Sequence, residues 1–277
     1  MTRGDSALVP AARAPARDLR LTSSDGITLA ATFRPGRSDR SPGVLLLHGV
    51  GASRAATAAN AAWLASLGYA TLTLDFRGHG QSTTTRRSFG LYEARDAAAG
   101  LAWLKGRQPG SSVAAIGISL GGAATLLGDE GPIDADALVL QAVYPDIRSA
   151  IRNRITARIG EIPARLIEPL LSFQSIARYG ARPSRLSPIS AVRRYAGPVL
   201  VIGGGADAST PPSETRALHA AVPGRGFLWL VPGKDHAETC DMADAQYRAR
   251  IATFLAATVG TPAGDHPVTR QTRSSRS

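Results

Sequence analysis

Residues 113–127 read as a strand, a tight turn and a helix, with a serine at the apex of the turn. Val113-Ala114-Ala115-Ile116 is an apolar run, Gly117-Ile118-Ser119-Leu120-Gly121 follows it, and Gly122-Ala123-Ala124-Thr125-Leu126-Leu127 is helix-forming. The glycines have a steric role. Such a turn forces Ser119 into a strained backbone conformation, and a side chain at 117 or 121 would collide with the neighbouring strand or helix. In a chain with 29 glycines the five-residue pattern alone is weak, so the surrounding sequence has to carry it.

The rest of the chain alternates strand and helix. Residues 18–22 and 27–33 alternate at period two around Ser24-Asp25-Gly26, a hairpin signal. Continuous apolar runs at 44–47, 137–140 and 199–202 read as buried strands, and 70–74 and 227–231 read as further strands. Helical stretches are expected at 55–67, 93–104 and 243–257. Alternating βαβ units imply a mostly parallel sheet with helices on both faces. One interval breaks the rhythm: Tyr144 to Tyr195 is too long for a plain crossover. It contains helix-like runs with breaks expected at Pro163, Pro169, Pro183 and Pro188, and reads as an inserted helical lid. The core is then 18–143 with 196–258. Segments 1–17 and 259–277 are polar and aperiodic and read as disordered, the second as a basic tail.

Composition narrows the partners. No apolar segment approaches the roughly 20 residues that span a bilayer, and Met1 to Arg17 has no apolar stretch of the secretory kind. The expected location is cytoplasmic, with no integral membrane segment, although peripheral lipid contact stays open. The single cysteine, Cys240, excludes an intramolecular disulfide and reads as a small residue near a helix start. Net charge is +11, from 32 basic and 21 acidic residues. Ten arginines and three acids (Asp146, Glu161, Glu168) fall between Tyr144 and Tyr195, a local net of +7. No zinc-finger or RNA-binding signature accompanies the charge, so nucleic acid is not expected. No metal-ligand spacing is present.

A serine hydroxyl is a poor nucleophile and needs a base and an orienting acid. Of five histidines, His236 follows the last strand in Pro232-Gly233-Lys234-Asp235-His236, where a loop can swing an imidazole over the Ser119 turn. His219 lies inside a helical run, His79 in a loop, His48 at a strand end and His266 in the tail. The acid should follow another strand, and Asp207 does so through Gly203-Gly204-Gly205. Asp146 is the rival; Asp235 is adjacent to His236 and poorly placed to face it. Charge developing on a tetrahedral intermediate needs fixed donors. The backbone N–H of Leu120 is one, and that of Val50, in the loop 48–53, is the expected second.

These segments resemble the α/β-hydrolase superfamily over roughly residues 18–258. The matching pieces are His48-Gly49-Val50-Gly51-Ala52-Ser53, Asp75-Phe76-Arg77-Gly78-His79-Gly80-Gln81-Ser82, the Ser119 turn (the nucleophile elbow of that family), the Asp207 loop and His236. The resemblance is to the lid-bearing serine esterase and lysophospholipase-like branch. It implies an eight-stranded sheet, the lid between strands six and seven, a Ser119–Asp207–His236 triad and no cofactor. The 75–82 segment is similar to a structural loop of lid-bearing members and is assigned no chemistry. The expected activity is carboxylic ester hydrolysis through an acyl-enzyme on a small-molecule ester. The alternatives are a thioesterase, an amidase or peptidase on the same triad, or a non-catalytic binding protein of this fold. In the lid, Ile151, Ile155, Ile159, Leu166, Ile167, Leu170, Leu171 and Phe173 recur near helical spacing, as packing onto the core or as an acyl-pocket wall. Ile151, Ile155, Arg148 and Arg152 are taken as substrate-binding candidates, and Arg154 and Arg158 share the spacing expected to attract an anionic group. Oligomeric state has no sequence signature.

Overall fold

The computed structural model describes residues 12–262. Among these residues one sheet of eight strands runs through the molecule: β1 (Arg17–Thr22), β2 (Thr28–Arg34), β3 (Gly43–Leu47), β4 (Ala70–Leu74), β5 (Val113–Ile118), β6 (Ala137–Gln141), β7 (Val199–Gly204) and β8 (Gly226–Val231). Their spatial order is β1-β2-β4-β3-β5-β6-β7-β8. β2 is antiparallel to both neighbours and every other pairing is parallel. The helices are α1 (Ala58–Ser66), α2 (Glu93–Arg107), α3 (Leu120–Leu126), α4 (Ile147–Ile159), α5 (Glu161–Ser172), α6 (Gln174–Tyr179), α7 (Pro188–Ala191), α8 (Pro212–Ala220), α9 (His236–Cys240) and α10 (Ala245–Thr258).

β3, β5 and β6 are buried along their whole length, which is why they read as unbroken apolar runs. Successive side chains leave opposite faces of the sheet. Leu45, Leu47, Leu72 and Leu74 pack with Leu101 and Leu104 of α2 on one face. Val44, Leu46, Ile116 and Val139 pack with Leu64 of α1 and Ile251 and Leu255 of α10 on the other. All parallel strands end on one edge, where open α/β sheets place their sites.

Local differences from the sequence reading have simple causes. The stretch expected as helix from 55 begins as a tight 3-10 turn, Arg54–Thr57, before α1. β1 starts at Arg17, and residues 12–17, assigned by sequence to an aperiodic end, are held by a bond from the Ala12 N–H to the Asp18 carboxylate. At the other end Tyr69 donates to the Gly260 carbonyl. The remainder of both terminal segments, including His266, lies outside the described residues. Pro163 and Pro169 do not break the chain; both sit inside α5. Pro163 falls in the first turn, where an N–H has no intrahelical acceptor to lose. Among the described residues no helix is long and apolar enough to cross a membrane.

Candidate active site

Ser119 stands between β5 and α3 with φ 49° and ψ −106°, a conformation costly to a residue with a side chain. The turn closes this tightly because three glycines let it. A Cβ at Gly117 would come within 2.5 Å of Gly122, one at Gly121 would meet the Leu47 carbonyl, and one at Gly122 would meet Val143. The third glycine falls outside the five-residue pattern, and its need is visible only once β6 lies alongside. Among the described residues two further non-glycine residues take positive φ, Phe89 and Ala142. Phe89 lines the cavity that contains Ser119, and Ala142 directly follows β6.

His236 and Asp207 meet. The imidazole Nδ1 lies 2.7 Å from Asp207 Oδ2. The other carboxylate oxygen accepts from the Ser209 and Thr210 N–H groups, each at 2.8 Å, so the carboxylate is oriented before it receives the ring. His236 opens α9, whose capping box fixes its start: the Asp235 carboxylate accepts from Glu238 N–H, and Glu238 accepts from Asp235 N–H. Asp235 is thereby occupied as a cap. Asp146 is likewise occupied, accepting from the N–H and hydroxyl of Ser149 at the start of α4. Burial works against the imidazolium, but the hydrogen bond to Asp207 and the neighbouring Cys240 thiol outweigh it, and the His236 pKa is pushed up to about 9. Cys240 ends α9, one turn beyond His236, rather than lying near a helix start. Ser119 Oγ makes no hydrogen bond among the described residues; nucleophile–base contacts are often loose in a free site.

Gln141 is a residue the sequence reading passed over. Its carbonyl accepts from Ser119 N–H at 2.8 Å. Its buried side chain donates to the Thr239 carbonyl at 2.5 Å and accepts from the Tyr247 hydroxyl at 3.0 Å. It thus ties the serine turn to the helix that carries His236. The available signal was an amide ending an otherwise apolar strand.

Ser119 opens into a cavity of about 250 Å³ whose wall includes Val50, Phe89, Leu120, Tyr144 and, from α4 and α5, Ile151, Arg154, Ile155 and Leu171. The Val50 and Leu120 amides donate to no acceptor among the described residues. Ile151 and Ile155 line this cavity with Ser119. Arg148 and Arg152 do not. They leave the opposite side of α4, border a separate groove with Phe173 and Arg182, and share Glu168. Arg148 donates to both Glu168 oxygens at 2.8 and 2.9 Å, and Arg152 approaches at 3.6 Å. Arg154 is the cation of the cavity wall, and its guanidinium bonds the Ala150 carbonyl one turn back. Among the described residues no carboxylate lines this cavity. A larger groove, about 760 Å³, runs along β8 and α10 and contains His219 but not Ser119.

The 75–82 loop holds the strand ends together. The buried Asp75 carboxylate takes the Arg54 N–H at 2.6 Å, the Arg54 guanidinium and the Gln81 N–H. A Cβ at Gly80 would fall on that carboxylate. Arg77 bridges Asp96 and Asp25. His48 is fully buried and receives the Phe76 N–H on Nε2; burial pushes its pKa down, and it stays neutral. Among the described residues no cluster of histidine, cysteine or acidic side chains could hold a metal ion.

The comparisons with known proteins agree with this architecture. Residues 39–182 match the family model described as serine aminopeptidase, S33. The uncharacterized protein YqkD of Bacillus subtilis is 27% identical over 192 residues, which cover 68% of this chain and 63% of that protein, a little under two thirds of its length. An uncharacterized protein of Mycobacterium tuberculosis is 30% identical over 241 residues, covering 83% and 74%. Among solved structures, the Pyrococcus furiosus esterase Pf2001 superimposes with a TM-score of 0.68 at 22% identity, over 88% of this chain and 93% of that one. The α/β hydrolase GrgF from Penicillium gives 0.67 at 20%, over 88% and 99%. At such identities the structural likeness speaks for the fold.

Proposed function

Because the chain belongs to the serine aminopeptidase S33 family of the α/β-hydrolase superfamily, we propose that it is a serine hydrolase that cleaves carboxylic esters through Ser119, His236 and Asp207. The observation that carries this reading is the 2.7 Å contact between His236 Nδ1, at the start of α9, and Asp207, in the loop after β7, beside a serine held in a strained turn.

In the proposed reaction Ser119 Oγ attacks the ester carbonyl carbon as His236 Nε2 takes its proton. Asp207 holds the ring by Nδ1–H and stabilises the imidazolium. The amides of Val50 and Leu120, which have no acceptor among the described residues, receive the oxyanion. Collapse of the tetrahedral intermediate expels the alcohol, which takes the proton from His236. Water then attacks the acyl-enzyme, His236 accepts its proton and returns it to Ser119 as the acid leaves. The 144–195 insertion serves as a lid, with Ile151 and Ile155 on the acyl wall.

An ester is favoured over a peptide with a free amino end by the cavity itself. A protonated amine needs a carboxylate, and the wall around Ser119 offers none and carries Arg154. A fluorophosphonate probe should label the wild-type chain at Ser119 and leave Ser119→Ala unlabelled. On p-nitrophenyl esters Ser119→Ala should lower kcat by about 10⁶-fold. Labelling that survives the substitution, or turnover within tenfold of wild type, would overturn the assignment.

A further inference from the structure

α5 is packed the wrong way round for a helix of a protein surrounded by water. Its buried side holds Ala164, Glu168 and Ser172. Its outward side holds Ile162, 77% exposed, and Leu166 and Leu170, each 72% exposed. These three recur at four-residue spacing and so form one stripe. Facing inward, Glu168 pairs with Arg148 and Arg152 of α4, and a half-turn of the helix would break both contacts. An apolar stripe of this size on a surface marks a contact with something apolar.

We propose that this face docks the protein onto an anionic lipid surface. Two observations select that occupant. The stripe is continuous with the mouth of the Ser119 cavity, since Leu171 belongs to both α5 and the cavity wall. Val50 and Phe89, on the same wall, are also about half exposed. The surrounding insertion carries a net charge of +7, and Arg154, Arg158, Arg165 and Arg178 are exposed. An apolar face framed by arginine is complementary to acyl chains under anionic headgroups. A second copy would bring two such positive insertions face to face. The chain outside the described residues has Met1, Leu8, Val9 and Val268 as its large aliphatic side chains, and its arginines repel rather than attract this face. Docking there would turn the cavity mouth toward the lipid. The contact is independent of the catalytic assignment, because it is read without turnover.

The test is co-sedimentation of the full chain with phosphatidylglycerol vesicles, with phosphatidylcholine vesicles as the neutral arm. Binding to phosphatidylglycerol at low salt should exceed binding to phosphatidylcholine by about tenfold or more and fall steeply in 0.5 M salt. Leu166→Glu with Leu170→Glu should reduce it by at least about tenfold at an unchanged melting temperature. Should that variant lose its fold, Arg158→Glu with Arg165→Glu, both at exposed positions, should still weaken binding to the anionic vesicles and spare any binding to the neutral ones. The proposal fails if wild type does not sediment with anionic vesicles, or if both variants bind as wild type does. It also fails if sedimentation equilibrium finds a dimer that the leucine variant dissolves, which would make a second copy the occupant.

Discussion

α10 and α5 are helices of similar length that treat their apolar residues in opposite ways. In α10, Tyr247, Ile251, Phe254 and Leu255 are buried against the sheet. Arg250 lies outside and Arg248 is half-buried, their guanidinium groups over the rings of Trp229 and Trp63. In α5 the aliphatic residues face out and a glutamate faces in. The ion pairs follow the same division. Arg77–Asp96 is buried on both sides beneath the strand ends, whereas Arg148–Glu168 buries its acid and leaves its arginine about half exposed. The core buries charge only where it fixes the loops around the site. In the insertion one helix carries both a buried acid and an outward apolar face. An amphipathic pattern thus reports that a helix has two faces, and the neighbour it meets decides which of them is the inside.

This contrast can be broken most sharply by removing one partner from each pair. Arg77→Met leaves Asp96 buried without its principal cation and should cost about 3–5 kcal/mol, read as a fall of roughly 10 °C in melting temperature. A loss below about 1 kcal/mol would mean that the core pair is no better shielded than the one in the insertion.

The pH profile sharpens the comparison next, because the titrating group belongs to the core. In the proposed mechanism the base must be neutral to accept the Ser119 proton, and the pKa of His236 is pushed up to about 9. The value of kcat/KM should therefore rise about tenfold per pH unit from neutrality and level off above about 9. The stability contribution has the opposite sense. A histidine whose pKa is raised on folding stabilises fully below its unfolded value, about 6.5, and that contribution is lost as pH rises through about 9. A kcat/KM profile already flat at pH 7 would mean that Asp207 does not hold the ring as tightly in solution.

The smallest effect is expected from Glu168→Gln. Arg148 and Arg152 can turn to water, so the loss should be about 1 kcal/mol, seen in hydrogen exchange of α4 and α5 while the sheet stays protected. A global loss comparable with that of Arg77→Met would make the insertion part of the same cooperative unit.

Much of the core was legible because its signals are local. β3, β5 and β6 announce themselves as unbroken apolar runs, since a strand covered on both faces has no polar side to show. The Ser119 turn is legible because close approach of backbone to backbone demands glycine at particular positions. Gly122 and Gln141 were missed for the complementary reason: one clears Val143 and the other reaches Thr239 and Tyr247, contacts made across more than twenty residues of chain or more than ninety. The four arginines of α4 illustrate the same limit. Their spacing is helical, but the helix sends Arg154 to the cavity and Arg148 and Arg152 to Glu168.

By itself the sequence determined the parallel sheet, the residues at its strand ends and the serine turn, because periodicity and backbone sterics act between neighbours in the chain. It also put Asp207 and His236 after their strands. That they meet at 2.7 Å, that α9 is capped so that His236 opens it, and that α5 turns its leucines outward were decided only by the tertiary structure. Each depends on which distant groups are close enough to satisfy a buried charge or amide, and linear order does not encode that distance.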